Sequence, residues 1–179
     1  MEEDKISFQA VIITQHQEDK KRIFLITYFV ESKEMSIQEG RSPVCSMPKS
    51  YYSKGKITSV TTGSPYETSD FFIGATIAAL GRKFYLTDAS KATLDFMELH
   101  CDNFPMSDLN AAVDSIKPAK KQLISQFGQN DPRGSGFINP EAAQQILDST
   151  RVSPQYIVTI MRRFEENGKF DYKTLSQYL

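Results

Sequence analysis

The chain has 179 residues, of which 40% are hydrophobic and 24% charged, and its formal net charge is −1. Those values suit a globular core of one or two domains. They exclude a strongly basic whole-chain binder of nucleic acid or membrane surfaces. The two cysteines, Cys45 and Cys101, form no metal pattern and fit a reducing compartment, with a single disulfide left open. The opening MEEDKISF has no apolar signal core, and no run of 18 apolar residues follows. This predicts a soluble, intracellular protein.

Residues 6–15 (ISFQAVIITQ) are rich in β-branched side chains and read as a strand. HQEDKK is a polar turn, and residues 22–30 (RIFLITYFV) form a second strand, apolar on both faces and therefore central. Residues 34–38 alternate as a third strand, with Met35 and Ile37 inward. The links are too short for a crossover helix, so the three form an antiparallel meander. Residues 40–56 (GRSPVCSMPKSYYSKGK) have the composition of a long loop. It carries Arg41, Lys49, Lys54 and Lys56 and no acid, with Tyr51 and Tyr52 at its middle. Two readings stand side by side. In one, it is a contact surface for an acidic partner. In the other, it is a solvated loop whose tyrosines tuck back onto the sheet. Residues 57–62 are a further strand candidate before Gly63-Ser64-Pro65.

Residues 66–99 organise the β-rich half. Residues 71–80 form an almost wholly apolar run that predicts a buried strand, with Gly74 marking a bulge or close packing. Gly81-Arg82 sits at a hairpin turn, with φ > 0 expected at Gly81. Residues 83–87 alternate with Phe84 and Leu86 on one face. Asp88 is the expected N-cap of a helix whose apolar stripe is Ala92, Phe96 and Leu99.

These residues carry a resemblance. Tyr66, Asp70-Phe71-Phe72-Ile73-Gly74-Ala75, Gly81-Arg82-Lys83-Phe84 and Thr87-Asp88-Ala89 occur in the order and spacing of the DM-ten domain. Residues 22–29 are similar to that domain's early strand. The chain resembles the EF-hand-containing myoclonin or protofilament-ribbon family of ciliary and flagellar proteins over about residues 21–99.

After residue 99, HCDNFP reads as a linker, which divides the chain at 1–101 and 102–179. The second part is helical in pattern. Ser107 is expected to cap a helix bearing Leu109, Ala112, Val113 and Ile116. A second helix carries Leu123, Ile124 and Phe127, and Ser153-Pro154 opens a later one. Between helices, residues 131–142 (DPRGSGFINPEA) resemble an EF-hand calcium loop: Asp131 falls first, Ser135 fifth, Gly136 sixth and Ile138 eighth. Calcium needs several oxygen ligands and a bidentate acid at the twelfth position. Here Arg133 stands third and Ala142 twelfth, so the loop is expected to be structural and metal-free. The stretch FEENGKFDYKT would place Arg163 first and Thr174 twelfth, which is also no calcium site. Paired loops would join Ile138 to Phe170.

His16 and His100 have no ligands at zinc spacing, and no nucleophile motif, phosphate loop or dinucleotide fingerprint is present. Asp70 and Asp88 read as turn and cap residues. No catalytic site, metal or cofactor is expected, and the chain does not read as an enzyme. The fold class is α+β. The resemblance implies that the β half is pleckstrin-homology-like, a bent antiparallel sheet closed by its C-terminal helix, followed by an all-α EF-hand-like lobe. It also implies a structural microtubule inner protein of the axonemal doublet, in the cytoplasm, cytoskeleton and cilium or flagellum. Its expected partners are tubulin at the lumen and other inner proteins, with no nucleic acid and no membrane. Tubulin is acidic, so Arg41, Lys49, Tyr51, Tyr52, Lys54 and Lys56 become the candidate contact residues. A calcium-responsive adaptor and a phosphoinositide-binding module are the alternative readings.

Overall fold

The computed structural model describes residues 4–179, which form an α+β chain of two compact units, one ending at Phe104 and the other starting at Pro105. In the first unit, β1 (Lys5–Ile12), β2 (Phe24–Phe29), β3 (Glu34–Glu39), β4 (Lys49–Gly55), β5 (Thr76–Ala79) and β6 (Arg82–Ala89) precede α1 (Lys91–Leu99). All six strands share one antiparallel sheet, in the order β4-β3-β2-β1-β6-β5. The expected meander is present, with Ile26 opposite Phe8 and Ile37. Period-two burial sends Ile6, Phe8, Ala10, Ile12, Phe24, Ile26, Tyr28, Met35 and Ile37 to the interior.

Four strand steps separate β4 from β6, which in a flat sheet would be about 19 Å. The rings of Tyr51 on β4 and Phe84 on β6 are nevertheless 6.0 Å apart, and both meet Phe24. The sheet must therefore curl so that its inner face closes on itself. Phe71 fills the interior, stacked on Tyr28 at 4.3 Å.

Several sequence expectations need correction here. Residues 71–80 do not form one strand. A 3-10 turn spans Thr68–Asp70, and the ladder begins at Thr76. The break lies at Gly74, whose φ is +99°. There Leu86 accepts from the Gly74 amide and donates to the Ala75 carbonyl, a bulge only glycine adopts easily. The hairpin turn is at Leu80-Gly81, with φ +54° and +71°, the primed geometry that matches strand twist. Residues 57–62 are not a strand; a single Thr58–Pro65 bridge holds them.

Asp88 does not cap α1. After a bulge at Gln9/Ala10 it still pairs with β1, so the helix starts later. Ser90 is the cap, accepting from the Thr93 amide at 3.2 Å, and Thr93 Oγ1 accepts from the Ser7 amide. The buried face is Thr93, Leu94 and Met97, not the expected stripe of Ala92, Phe96 and Leu99, and Leu99 is 78% exposed.

The second unit contains α2 (Leu109–Ile116), α3 (Lys120–Gln129), β7 (Phe137–Ile138), α4 (Pro140–Asp148), α5 (Pro154–Phe164), β8 (Glu165–Glu166), β9 (Lys169–Asp171) and α6 (Tyr172–Tyr178). Within this unit, after α2, the pairs α3–α4 and α5–α6 are two helix–loop–helix units joined by a three-stranded ribbon, with Ile138 opposite Phe170. Val113, Ile116, Leu123, Phe127, Leu147, Ile160, Phe164 and Phe170 form its core, while Ile124 stays exposed. Asp108, not Ser107, caps α2; Ser107 is buried in a preceding turn, where it accepts from Gln155. No helix of the described residues is long and apolar enough to cross a membrane.

Candidate functional site

Four of the candidate contact residues, Lys49, Tyr51, Tyr52 and Lys54, do not lie on a loop, while Arg41 lies in the β3–β4 connection and Lys56 directly follows β4. From Lys49 to Gly55 the chain is β4, an edge strand paired with β3 and bulged twice. The loop-like composition is misleading because an edge strand needs only one row of ladder bonds, and lysines and bulges are how an exposed edge avoids pairing with another chain. Arg41, Lys49, Lys54 and Lys56 are all exposed. Two of these lysines have partners within the sheet: Lys49 Nζ is 3.4 Å from Glu39, and Lys54 Nζ is 3.4 Å from Glu34 and over the Phe29 ring at 4.0 Å.

Tyr51 points inward, edge-on to Phe24 and Phe84, so the tucked-back reading holds for this ring. Tyr52 is half-buried along the same strand. A Cβ added at Gly55 would stand 2.6 Å from the Tyr52 hydroxyl, so the glycine leaves room for that ring.

Beside Tyr51 lies an ion cluster with no signal in the linear pattern. Arg22 grips Glu39 with two bonds, Nε to Oε1 at 2.8 Å and Nη2 to Oε2 at 3.1 Å, and reaches Asp19 with Nη1 at 3.0 Å. Its guanidinium sits over Phe24 and Tyr51. Glu39 is 2% exposed, and the Arg22 hydrogen bonds hold its carboxyl below the usual range against the opposing effect of burial. Arg82 Nη1 closes the cluster on Asp19 at 3.3 Å. A bidentate pair inside the end of a curled sheet positions strands.

The loop after α3 has a different electrostatic centre. Asp131 is 8% exposed. Its Oδ2 accepts from the Gly136 amide at 2.7 Å and the Tyr172 hydroxyl at 2.8 Å, and Oδ1 accepts from Ser135 Oγ at 3.0 Å. Burial alone would raise its pKa; the bonds from Gly136, Tyr172 and Ser135 outweigh that and bring it down to about 2. The Tyr172 hydroxyl is pushed up by the same bond. Arg133, Ser135 and Ala142 occupy the third, fifth and twelfth loop positions, and only Ser135 reaches Asp131. The residue the sequence analysis missed is Tyr172, which lies 41 positions downstream and arrives on α6.

The loop after α5 is a tight hairpin rather than a ligand loop. Asn167 and Gly168 have φ +51° and +71°, and Asp171 turns away to cap α6 through the Thr174 amide and hydroxyl. His100 packs on Phe96, and Cys45 Sγ donates to the Met47 carbonyl; both cysteines are free thiols. Among the described residues, no group of three or more His, Cys, Asp or Glu could hold a metal ion.

Comparison with known proteins gives the following. The DM10 domain matches residues 1–93. The chicken (Gallus gallus) EF-hand domain-containing family member C2 is 24% identical over 186 residues, covering 96% of this chain and 25% of that protein. Its mouse (Mus musculus) counterpart is 26% identical over 167 residues, covering 86% of this chain and 22% of that protein. Human EF-hand domain-containing protein 1 is 33% identical over 119 residues, covering 63% of this chain and 18% of that protein. The chain thus spans between about a fifth and a quarter of the length of these relatives.

Proposed function

The chain belongs to the DM10-domain family, and from that membership we propose that it is a non-catalytic structural module of ciliary and flagellar doublet microtubules. In this reading it binds tubulin from the lumen and neighbouring inner proteins, and it resides in the axonemal cytoskeleton. The first unit is a pleckstrin-homology-like sheet closed by α1. The second is an EF-hand lobe that works without calcium. The ciliary role rests on the resemblance of the residue 66–99 signature to ciliary modules. The calcium-free part rests on one observation: the Asp131 carboxylate is already committed to Gly136, Ser135 and Tyr172. A cation would have to displace those donors and face Arg133, with no acid at position 142 to repay the loss.

The contact surface follows from the edge geometry. Bulges and lysines disfavour strand addition at β4, so contact there is made by side chains. Arg41, in the β3–β4 connection, and Lys56, just after β4, form no ion pair among the described residues, and Lys49 and Lys54 contribute after leaving their intramolecular partners. Tyr51 holds the domain together instead.

Incorporation of the tagged chain into doublets tests the reading. Arg41→Glu with Lys56→Glu should weaken incorporation and leave the melting temperature unchanged, since attraction to acidic tubulin mainly sets the on-rate. Tyr51→Ala should lower the melting temperature. Equal incorporation of the charge-reversed chain would reject the edge as the contact. Recovery on acidic liposomes but not on microtubules would replace the reading with a phosphoinositide-binding module. A micromolar calcium site by calorimetry would replace it with a calcium-responsive adaptor.

A further inference from the structure

The sheet has a second edge, at β5, and it is built differently from β4. It carries no lysine, and its ladder to β6 runs without a register shift from Thr76 to Ala79. In that ladder Ala75, Ile77 and Ala79 face β6, as the bond from the Leu86 amide to the Ala75 carbonyl indicates. Thr76 and Ala78 therefore direct their backbone groups outward. The Tyr66 hydroxyl closes Ala78 on both counts, accepting from its amide at 2.8 Å and donating to its carbonyl at 3.1 Å. Thr76 has no such cover.

Its amide and carbonyl open into a groove of about 530 Å³ between β5 and the turn at residues 59–62, lined by Val60, Thr62, Phe72, Thr76, Ala78 and Lys83. Val60 at the rim is 80% exposed. Two charged side chains of opposite sign, Asp70 and Lys83, line the groove. Asp70, also in the wall, has its Oδ2 taken by the Glu67 amide. Lys83 has no ion pair among the described residues.

We propose that this groove binds an extended peptide segment that carries an acidic side chain between β-branched ones. An outward-facing amide and carbonyl on one edge residue match the backbone of a strand, which exchanges a pair of bonds with Thr76. Val60, Phe72 and Ala78 take the apolar side chains, and Lys83 selects for the acid. The surface is separate from β4 and does not depend on the ciliary reading.

The test uses two labelled peptides, Thr-Val-Glu-Val-Thr and Thr-Val-Lys-Val-Thr, titrated into the full chain with amide NMR as readout. The glutamate peptide should shift the amides of Thr76, Ala78 and Val60 and bind about tenfold more tightly than the lysine peptide. Lys83→Glu should reverse that preference, and Lys54→Glu on the opposite edge should leave it unchanged. Thr76→Pro should abolish binding of both peptides; Lys83→Glu carries the test if the proline variant fails to fold. Equal binding of the two peptides, shifts confined to β4, or no shift at Thr76 would each overturn the proposal.

Discussion

The loop after α3 holds its turn with a side chain, and the loop after α5 holds its turn with backbone alone. In residues 130–139 the Asp131 carboxylate gathers one amide and two hydroxyls, and the Lys173 amide donates to the Gly136 carbonyl. In residues 165–171 the Asn167-Gly168 turn closes the β8–β9 hairpin with no side chain at its centre. Both loops feed the same Ile138–Phe170 pairing. The difference teaches that an acid at the first position of such a loop can be retained without a metal, because the chain's own donors occupy it. Where the acid is absent, as at Arg163, the loop instead contracts to a turn that needs nothing to bind.

The largest effect expected from breaking this contrast is at Gly136. It has φ +87°, and an added Cβ would lie 2.9 Å from the Lys173 Cβ. Gly136→Val should destabilise the second unit by about 3 kcal/mol, measured by urea denaturation. Asp131→Ala comes next. It leaves the buried Gly136 amide and the Tyr172 hydroxyl without their acceptor. Its melting temperature should fall well below the wild-type value, with Gly136 losing amide-exchange protection first.

Gly168→Ala tests the other loop. Gly168 has φ +71° but open space around it. The cost should be about 1 kcal/mol, the backbone term alone. If Gly136→Ala and Gly168→Ala cost the same, the close approach to Lys173 has no energetic weight. Tyr172→Phe should cost less than Asp131→Ala, because it removes one of three bonds to a carboxylate that keeps the other two, and it should raise the Asp131 pKa.

The pH dependence sharpens the same comparison. Asp131 is lowered in the folded state from 3.8 to about 2. A depressed carboxyl adds stability that is present above its unfolded pKa and disappears as pH falls through the folded one. The Gly136 amide should therefore lose protection between about pH 4 and pH 2, with the drop absent in Asp131→Asn. Amides of the Asn167-Gly168 turn should follow only global unfolding. A matching early loss at that turn would mean that the two loops open as one.

Much of this was legible in the residues themselves. The antiparallel meander, the inward Met35 and Ile37, and the glycine demand at positions 74 and 81 followed from local rules, since side-chain alternation and positive φ are properties of a few consecutive residues. The Ile138–Phe170 link followed from the resemblance of residues 131–142 to a paired EF-hand loop. The reading of residues 22–30 as apolar on both faces needed correction, because β2 alternates and leaves Leu25 exposed. The face of α1 was misread because the sheet, with its bulge at Gln9/Ala10, keeps Asp88 in the ladder and starts the helix at Ser90, and packing then buries Thr93, Leu94 and Met97 in place of the expected Ala92, Phe96 and Leu99. The identity of β4 as a strand, the inward turn of Tyr51, the Arg22–Glu39 grip and the Tyr172–Asp131 bond were decided only by tertiary structure. Each depends on which surfaces the curl of the sheet or the packing of α6 brings within a few ångströms, and no local pattern encodes a distance across the fold.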